Sequence, residues 1–309
     1  MAKDNNLTDF LTGVANAIRD KKGMSPTVLI NPQNFESEIE SITTGLDTSD
    51  ATATAGDILL NKTAYAKGVK ITGTVSNYDG SYEDAPKSLE DSTWAEINTA
   101  SQDGTAGTKY SIGDEKTITL TTGEEVTLQI LGFNHDDLAS GSSKAGITFG
   151  MKNLLTTMYP MNSSETSRGG WNSSRMRTST MATLLSELPT DLKSIVKKVS
   201  KKTVKDTDET AVIVSTDSLF LLSRVEVEGE SVSVEYKDEG AQYAYWAAHS
   251  TSSDRIKKLS NGTGSKEDWW LRSPSVAASY DPGAFWYMYG SANLGSANNS
   301  KGVCFAFCV

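Results

Sequence analysis

Twelve of the chain's 25 Phe, Trp and Tyr residues fall in its last 70 positions, between Tyr243 and Phe307. Apolar residues make up only 37% of the 309, so the large side chains that a core needs arrive late, and any fold must be built around this aromatic end. Trp246, Trp269, Trp270, Phe305 and Phe307 are expected to be core. The stretch between them differs: of the 27 residues from Ser275 to Lys301, 20 are Ser, Ala, Gly, Asn, Tyr or Asp. Tyr and Trp supply rigid contact area while Ser, Gly and Asn supply adaptable hydrogen bonds, which is the chemistry of a recognition surface.

Ser and Thr number 72, more than the 68 charged residues, and a chain so rich in hydroxyls is expected to hold many short strands and loops. The net charge of −10 repels polyphosphate, so nucleic acid is an unlikely partner. No run approaches the roughly 18 apolar residues of a membrane span, and the polar start Met1–Phe10 lacks the pattern of a signal peptide. The product is expected to be made in the cytoplasm and kept there until something else releases it.

Two Cys and two His leave little for metal or nucleophile chemistry. If residues 303–309 form a strand, Cys304 and Cys308 share a face about 13 Å apart and cannot bridge each other. They read as small buried apolar residues, and their spacing fits no usual zinc pattern. No metal and no cofactor are expected.

Apolar residues at Leu7, Phe10, Leu11, Val14 and Ile18 form one helical stripe. A second helix is expected over 31–42, with Asn31 as N-cap, Pro32 in the first turn and Gly45 ending it. Two helices of this size cannot make a core alone, so they must pack on a second copy or on another protein. From Asp50 the chain reads Ala51-Thr-Ala-Thr-Ala-Gly56-Asp57-Ile58, then Lys62-Thr-Ala-Tyr65, then Gly68 to Thr74 ending in Gly73-Thr74. In that order, and after Asn31-Pro32 and Phe35, these motifs resemble a module of tail proteins from phages and prophages of Gram-positive bacteria, over residues 7–75. The resemblance implies attachment to other tail or baseplate proteins and assembly as a homo-oligomer, a trimer. The expected divisions are 1–45 helical, 46–78 a small Ala/Thr-rich β module, 79–91 a turn-rich linker, and 92–309 a second domain.

That domain is expected to open with strands, Lys116–Thr121 and Glu125–Phe133 around a Thr121–Glu124 turn. Two helical stretches then follow, Phe149–Met158 and Ser173–Val199, the second divided at Pro189. Val212–Val214 and Leu219–Leu222 read as buried strands, Gln242–His249 as a short helix, and the chain beyond Trp269 as short strands and loops. The class is α+β, with helices segregated from an antiparallel sheet.

Residues 92–309 carry Gly113-Asp-Glu-Lys-Thr-Ile118, Ile130-Leu-Gly-Phe-Asn-His135-Asp-Asp-Leu138, Gly146 to Leu154, Gly169-Gly-Trp171-Asn172, Met176-Arg177, Gln242 to Ala248, Trp269-Trp-Leu-Arg272-Ser273-Pro274, and the closing Gly302-Val303 and Phe305-Ala-Phe-Cys-Val309. They resemble a domain family of gut-bacterial genomes and prophages with a C-type lectin-like fold. That family includes the variable proteins of diversity-generating retroelements, in which adenine-directed rewriting alters the ligand-binding face.

The resemblance implies a phage or prophage tail-tip receptor-binding protein, carried on the virion, with a bacterial cell-surface protein or glycan as ligand. The implied variable face comprises Ser275, Ala277, Ser279, Tyr280, Asp281, Ala284, Phe285, Tyr287, Tyr289, Ser291, Asn293, Ser296, Asn298 and Asn299. Trp269, Trp270, Arg272, Trp286 and Met288 are its implied scaffold. Rewriting an Asn codon yields Tyr, Ser, Asp, Gly, Ala, Phe, Leu or Val but neither Trp nor Met, which suits Trp286 and Met288 as fixed positions; an ordinary lectin loop has the same composition. The sugar-site triplets Glu-Pro-Asn and Gln-Pro-Asp are absent, and Ser follows Trp171-Asn172 where a calcium motif has Asp. Asp136, Asp137 and Asp254 accordingly read as solvated loop carboxylates or turn caps. The alternatives are a structural tail protein without a receptor, and an enzyme of the formylglycine-generating type. The second lacks its reactive cysteine pair, and neither His135 nor His249 sits in a nucleophile context.

Overall fold

Leu11, Val14 and Ile18 recur at helical spacing, and the first element of the computed structural model is α1, Leu7–Lys22, which buries Ala15 and Ile18. The structure describes residues 7–42, 48–75, 87–205, 208–260, 264–276 and 283–309, with backbone alone at 208–210. Two compact units divide the chain, Met1–Asp84 and Ala85–Val309.

In the first unit the Asn31 side chain accepts from the Gln33 amide at 3.0 Å and starts a 3-10 turn, Pro32–Asn34, that runs into α2, Phe35–Glu40. Lys22 at the end of α1 pairs with Glu38 of α2 at 2.5 Å. Little else is enclosed: Leu7, Phe10, Leu29 and Ile39 stand 68%, 66%, 96% and 52% exposed. β1, Thr63–Ala66, and β2, Val69–Thr72, form a hairpin whose turn residues Lys67 and Gly68 both have positive φ, the conformation of a tight two-residue turn. Gly45 and the expected linker stretch 79–86 lie outside the described residues.

The second unit opens with a helix, not with strands. Thr93 caps α3, Trp94–Gln102, in a reciprocal box with Glu96, a Thr-x-x-Glu signal legible in the sequence. After the single turn α4, Ala106–Lys109, come β3, Glu115–Thr119, β4, Glu125–Phe133, and β5, Ile147–Met151. The helix expected over Phe149–Met158 is therefore absent: Phe149–Met151 belong to β5, and residues 152–158 form no helix. All five residues of β5 are buried, because the strand lies inside a sheet with neighbours on both edges. A short apolar run does not separate a buried helix from a central strand. Gly150 belongs to the strand for a steric reason: a Cβ there would come within 2.6 Å of Leu131 Cδ1.

β6, Tyr159–Pro160, leads to α5, Gly170–Ser173, a π-turn at Met176–Thr180, α6, Met181–Glu187, and α7, Thr190–Ile195, with Pro189 between the last two. Where helix was expected to run on to Val199, the chain instead enters the hairpin of β7, Val199–Lys205, and β8, Asp208–Asp217. β9, Leu219–Phe220, α8, Arg224–Glu228, a 3-10 segment at Val234–Glu239, and α9, Ala244–Ala248, follow. The chain closes with β10, Lys257–Lys258, β11, Lys266–Glu267, β12, Trp269–Pro274, β13, Ala284–Tyr289, β14, Ser291–Ser296, β15, Ser300–Lys301, and β16, Ala306–Cys308.

The unit is α+β with several small antiparallel sheets. The largest among the described residues has the order β3-β4-β5-β16-β9, and a three-stranded sheet has the order β12-β13-β14. The closing strand β16 thus pairs with β5 on one edge and β9 on the other. Phe307 stacks on Phe149 at 5.4 Å, and Trp94 meets Phe149 edge-on at 5.6 Å. Phe149→Ala is expected to destabilise this unit by about 3–5 kcal/mol and Thr93→Ala by about 1 kcal/mol, read from urea unfolding of the full chain followed by Trp fluorescence.

Candidate functional site

All six residues of β12, Trp-Trp-Leu-Arg-Ser-Pro, are buried, so its polar groups need partners inside the protein. Both indoles find carbonyls: Trp269 donates to Arg255 O at 3.0 Å and Trp270 to Tyr159 O at 2.9 Å. Arg272, with no exposed surface, donates to both carboxylate oxygens of Glu226 on α8, at 2.5 and 2.9 Å, and also to Leu221 O, Lys202 O and Glu239 O. Glu226 Oε1 accepts from Lys201 of β7 at 2.6 Å, and Lys201 donates in turn to Asp136 at 2.6 Å. Asp136 also accepts from Thr148 at 2.6 Å and from the Tyr243 hydroxyl at 2.9 Å, and the His135 ring, stacked on Tyr243, lies 3.6 Å from it.

Two cations and two carboxylates thus balance inside the unit. Burial alone would raise the carboxyls of Asp136 and Glu226. Lys201 together with the His135 ring outweighs it at Asp136, and Arg272 with Lys201 at Glu226, so both lie below their ordinary range. Burial would likewise lower Lys201, but Asp136 and Glu226 raise it. Glu239 differs. It accepts from the Val204 amide at 3.1 Å and from the Ser273 hydroxyl, and burial, only partly opposed by Arg272, pushes it up to about 7.

Asp136 is therefore corrected: it is 4% exposed and ion-paired, not solvated. Asp137 is exposed and pairs with Lys144 at 2.8 Å, and Asp254 caps Thr251. The quoted residues Trp171 and Arg177 meet on another buried carboxylate, Asp217, at 2.9 and 2.5 Å. Neither sulfur is bridged. Cys304 donates to Met151 O, and Cys308 lies 3.4 Å from the Thr148 hydroxyl. Among the described residues no group of three or more His, Cys, Asp or Glu could hold a metal.

On this support β13 runs back along β12, and β14 pairs with β13 without interruption from Ala284↔Ser296 to Tyr289↔Ser291. Alternation puts Phe285, Tyr287 and Tyr289 on one face, opposite Gly295, Asn293 and Ser291. Along that face Phe285 is fully buried, Tyr287 half-buried and Tyr289 43% exposed. Lys301 of β15 sits 3.6 Å over the Tyr287 ring and pairs with Asp268 at 2.8 Å. Gly295 makes room for this packing, since a Cβ there would lie 2.8 Å from Lys301 Cε and 3.0 Å from Tyr287 Cδ1. On the other face Trp286 donates to the Tyr236 hydroxyl at 2.8 Å, with the Arg224 guanidinium 3.9 Å above its ring.

The residues read as a variable face divide accordingly. Tyr289, Ser291, Asn293, Asn298 and Asn299 are exposed, and Tyr287 and Ser296 half-buried. Ser275, Ala284 and Phe285 are buried at 2%, 0% and 0%, so they cannot present side chains to a ligand and belong to the support. Ala277, Ser279, Tyr280 and Asp281 lie outside the described residues. Of the scaffold set, Trp269, Trp270, Arg272 and Met288 are fully buried and Trp286 is half-buried. Sequence reading missed Lys201, Glu226, Glu239, Tyr236, Arg224 and Lys301. Only the Ser223-x-x-Glu226 capping box gave a local signal, marking Glu226 as the third residue of a helix.

Fold and site together define an α+β domain in which a polar, aromatic strand face rests on a buried ion-pair core. The family model for a domain of unknown function, DUF6273, matches residues 146–309, more than half of the chain, and the chain belongs to that family. No curated protein and no solved structure matches it.

The raised Glu239 sets a pH dependence. Its folded-state carboxyl, near 7 against an ordinary 4.5, favours the fold below the ordinary value, and that contribution is lost as pH rises through about 7. The full loss is on the order of 3 kcal/mol. Asp136 and Glu226, shifted the other way, lose theirs only as pH falls through the acid range. Glu239→Gln is expected to flatten stability between pH 5 and 8 and to leave the variant more stable than the parent at pH 8, measured by urea midpoints across that range.

Proposed function

We propose that the chain is a receptor-binding protein of a phage or prophage tail tip. Its second unit is a C-type lectin-like domain that presents a ligand-binding face diversified by a retroelement, and its first unit is the attachment and assembly module. The observation that carries this reading is the split within residues 283–301. Tyr289, Ser291, Asn293, Asn298 and Asn299 are exposed, while Phe285 and Met288 in the same strand pair are buried, paired across from Pro274 and Trp269 of β12. A surface that must change between copies of a gene needs such a division between exposed positions and fixed support. The exposed set is rich in Tyr, Ser and Asn, which suits a bacterial cell-surface protein or glycan. The exposed apolar residues of α1 and α2 fit burial between three copies on the virion, where weak single contacts become strong through multivalency.

Two measurements test this. Fluorescently labelled protein is expected to bind a subset of a panel of gut-bacterial strains. The variant Tyr289→Ala, Asn293→Ala, Asn299→Ala should lose at least about tenfold in binding, more than 1 kcal/mol, with an unchanged melting temperature. Full binding by that variant to every strain would overturn the assignment of the face. For the assembly module, light scattering is expected to give three copies of the full chain, and Phe10→Asp with Leu29→Asp to reduce them to one.

A further inference from the structure

Two buried lysines in the second unit are treated in opposite ways. Lys201 has two carboxylates. Lys257, on β10 and 4% exposed, has none among the described residues; its nitrogen donates to Met151 O at 2.7 Å and Lys152 O at 2.8 Å. The rings of Trp246 and Trp269 lie 5.4 and 5.5 Å from it. Its remaining neighbour is the Cys304 thiol, which donates at 3.0 Å to the same Met151 carbonyl. Burial pushes the Lys257 ammonium down and the Cys304 thiol up, so both lean toward their neutral forms. An amine and a thiol are held side by side in a site lined by aromatic rings, and Cys304 has no disulfide partner: Cys308 is engaged on Thr148 and Asp136.

We infer that Lys257 and Cys304 form an oxidation-sensitive pair that closes a covalent nitrogen–oxygen–sulfur bridge with dioxygen. One amine, R–NH2, one thiol, R′–SH, and one O2 give R–NH–O–S–R′ and one water. An N–O and an O–S bond form, the O–O bond breaks, one N–H and the S–H hydrogen leave in the water, and the four electrons lost by the pair reduce O2. Four equivalents of a small thiol reverse it, giving amine, thiol, water and two disulfides. Both heteroatoms already touch one carbonyl oxygen, so closure needs little movement. The bridge would tie the segment before β11 to the closing strand region. That segment supports the β13–β14 turn, where a Cβ on Gly290 would come 3.2 Å from Ser252 O and 3.6 Å from Ile256. The oxidised protein would therefore hold the Tyr289–Ser291 turn on a stiffer base. The chemistry itself does not depend on what that turn binds.

The experiment uses the full chain, incubated in air-saturated buffer at pH 8 or kept under dithiothreitol without oxygen, then denatured without reductant for intact mass and thiol titration. Aerobic protein is expected to gain about 14 Da, one oxygen in and two hydrogens out, and to fall from two titratable thiols to one. Dithiothreitol should reverse both changes, and tryptic mapping should find the peptides of Lys257 and Cys304 joined. The bridged form should melt about 5–10 °C higher. Cys308→Ser is expected to keep the mass gain, and Lys257→Gln to abolish it. An unchanged mass with two thiols in the aerobic wild-type protein overturns the proposal. So does a gain of about 32 Da on Cys304 with Lys257 unmodified, the signature of ordinary sulfinic oxidation.

Discussion

The Arg272–Glu226 pair is the constraint on which the second unit turns. An arginine with no exposed surface is tolerable only if nearly every donor is used and its charge is met, because an unpaired buried charge costs several kcal/mol. Its partners come from four places: Glu226 on α8, Leu221 after β9, Lys202 and Thr203 on β7, and Glu239 at the end of a 3-10 segment. To satisfy one side chain, β12 must lie where all four converge. Lys201 then extends the network through Asp136 to Thr148 on β5, and so joins the three-stranded sheet to the five-stranded one. A hydrophobic residue at 272 could fill the same volume, but its contacts would be non-directional and would not fix which elements meet. The net stability from such a cluster is small, and its specificity is its main contribution.

That fixation explains how a face made of small and polar residues can hold its shape. β14 carries one large apolar side chain, Leu294, and a two-stranded ribbon in water is marginal. Here β13 gains a third strand, β12, whose side chains are immobilised from beneath, while Lys301 clamps Tyr287 and Arg224 clamps Trp286 from the sides. Both clamps are cations over aromatic rings and are themselves paired, with Asp268 and Glu228. The ring faces are thereby desolvated and held, which makes such contacts stronger than at an open surface.

The α+β class, the strands β3 and β4, the break at Pro189 and the aromatic core were legible because each depends on local pattern: alternation, helical spacing, a missing amide proton, side-chain size. What was not legible depends on pairing across the chain. Phe149 looked helical because Leu154, Leu155 and Met158 follow it at helical spacing; only the neighbours β4 and β16 decide that it lies in a central strand. Asp136 looked like a loop carboxylate because its ion partner is 65 residues away at Lys201. Phe285 looked like part of a recognition surface because it sits among Tyr, Ser and Asn; it is buried because it lies at the end of β13 away from the turn, across from Pro274 of β12. The Thr93-x-x-Glu96 box is itself a legible local signal for the nine-residue helix that it starts.

The exposed part of the site is held by little that depends on its own side chains. Asn293 donates to Ser291 O at 3.1 Å and Ser296 to Asn298 Oδ1 at 2.9 Å, and both are local turn contacts. The strand pairing beneath is backbone to backbone and runs unbroken from Ala284↔Ser296 to Tyr289↔Ser291. Exchanges at Tyr289, Ser291, Asn293, Asn298 and Asn299 should then change stability by no more than about 0.5 kcal/mol, the usual range for surface positions. Exchanges at Met288, next to Tyr289, or at Gly295, on the same face as Asn293, would meet buried neighbours and cost several times that. Tolerance is therefore greatest beside the Tyr289–Ser291 turn and falls along each strand away from it, to Phe285 on β13 and Gly295 on β14. It is this gradient along the strands, more than the composition of the segment, that would let its surface chemistry vary while the fold stays fixed.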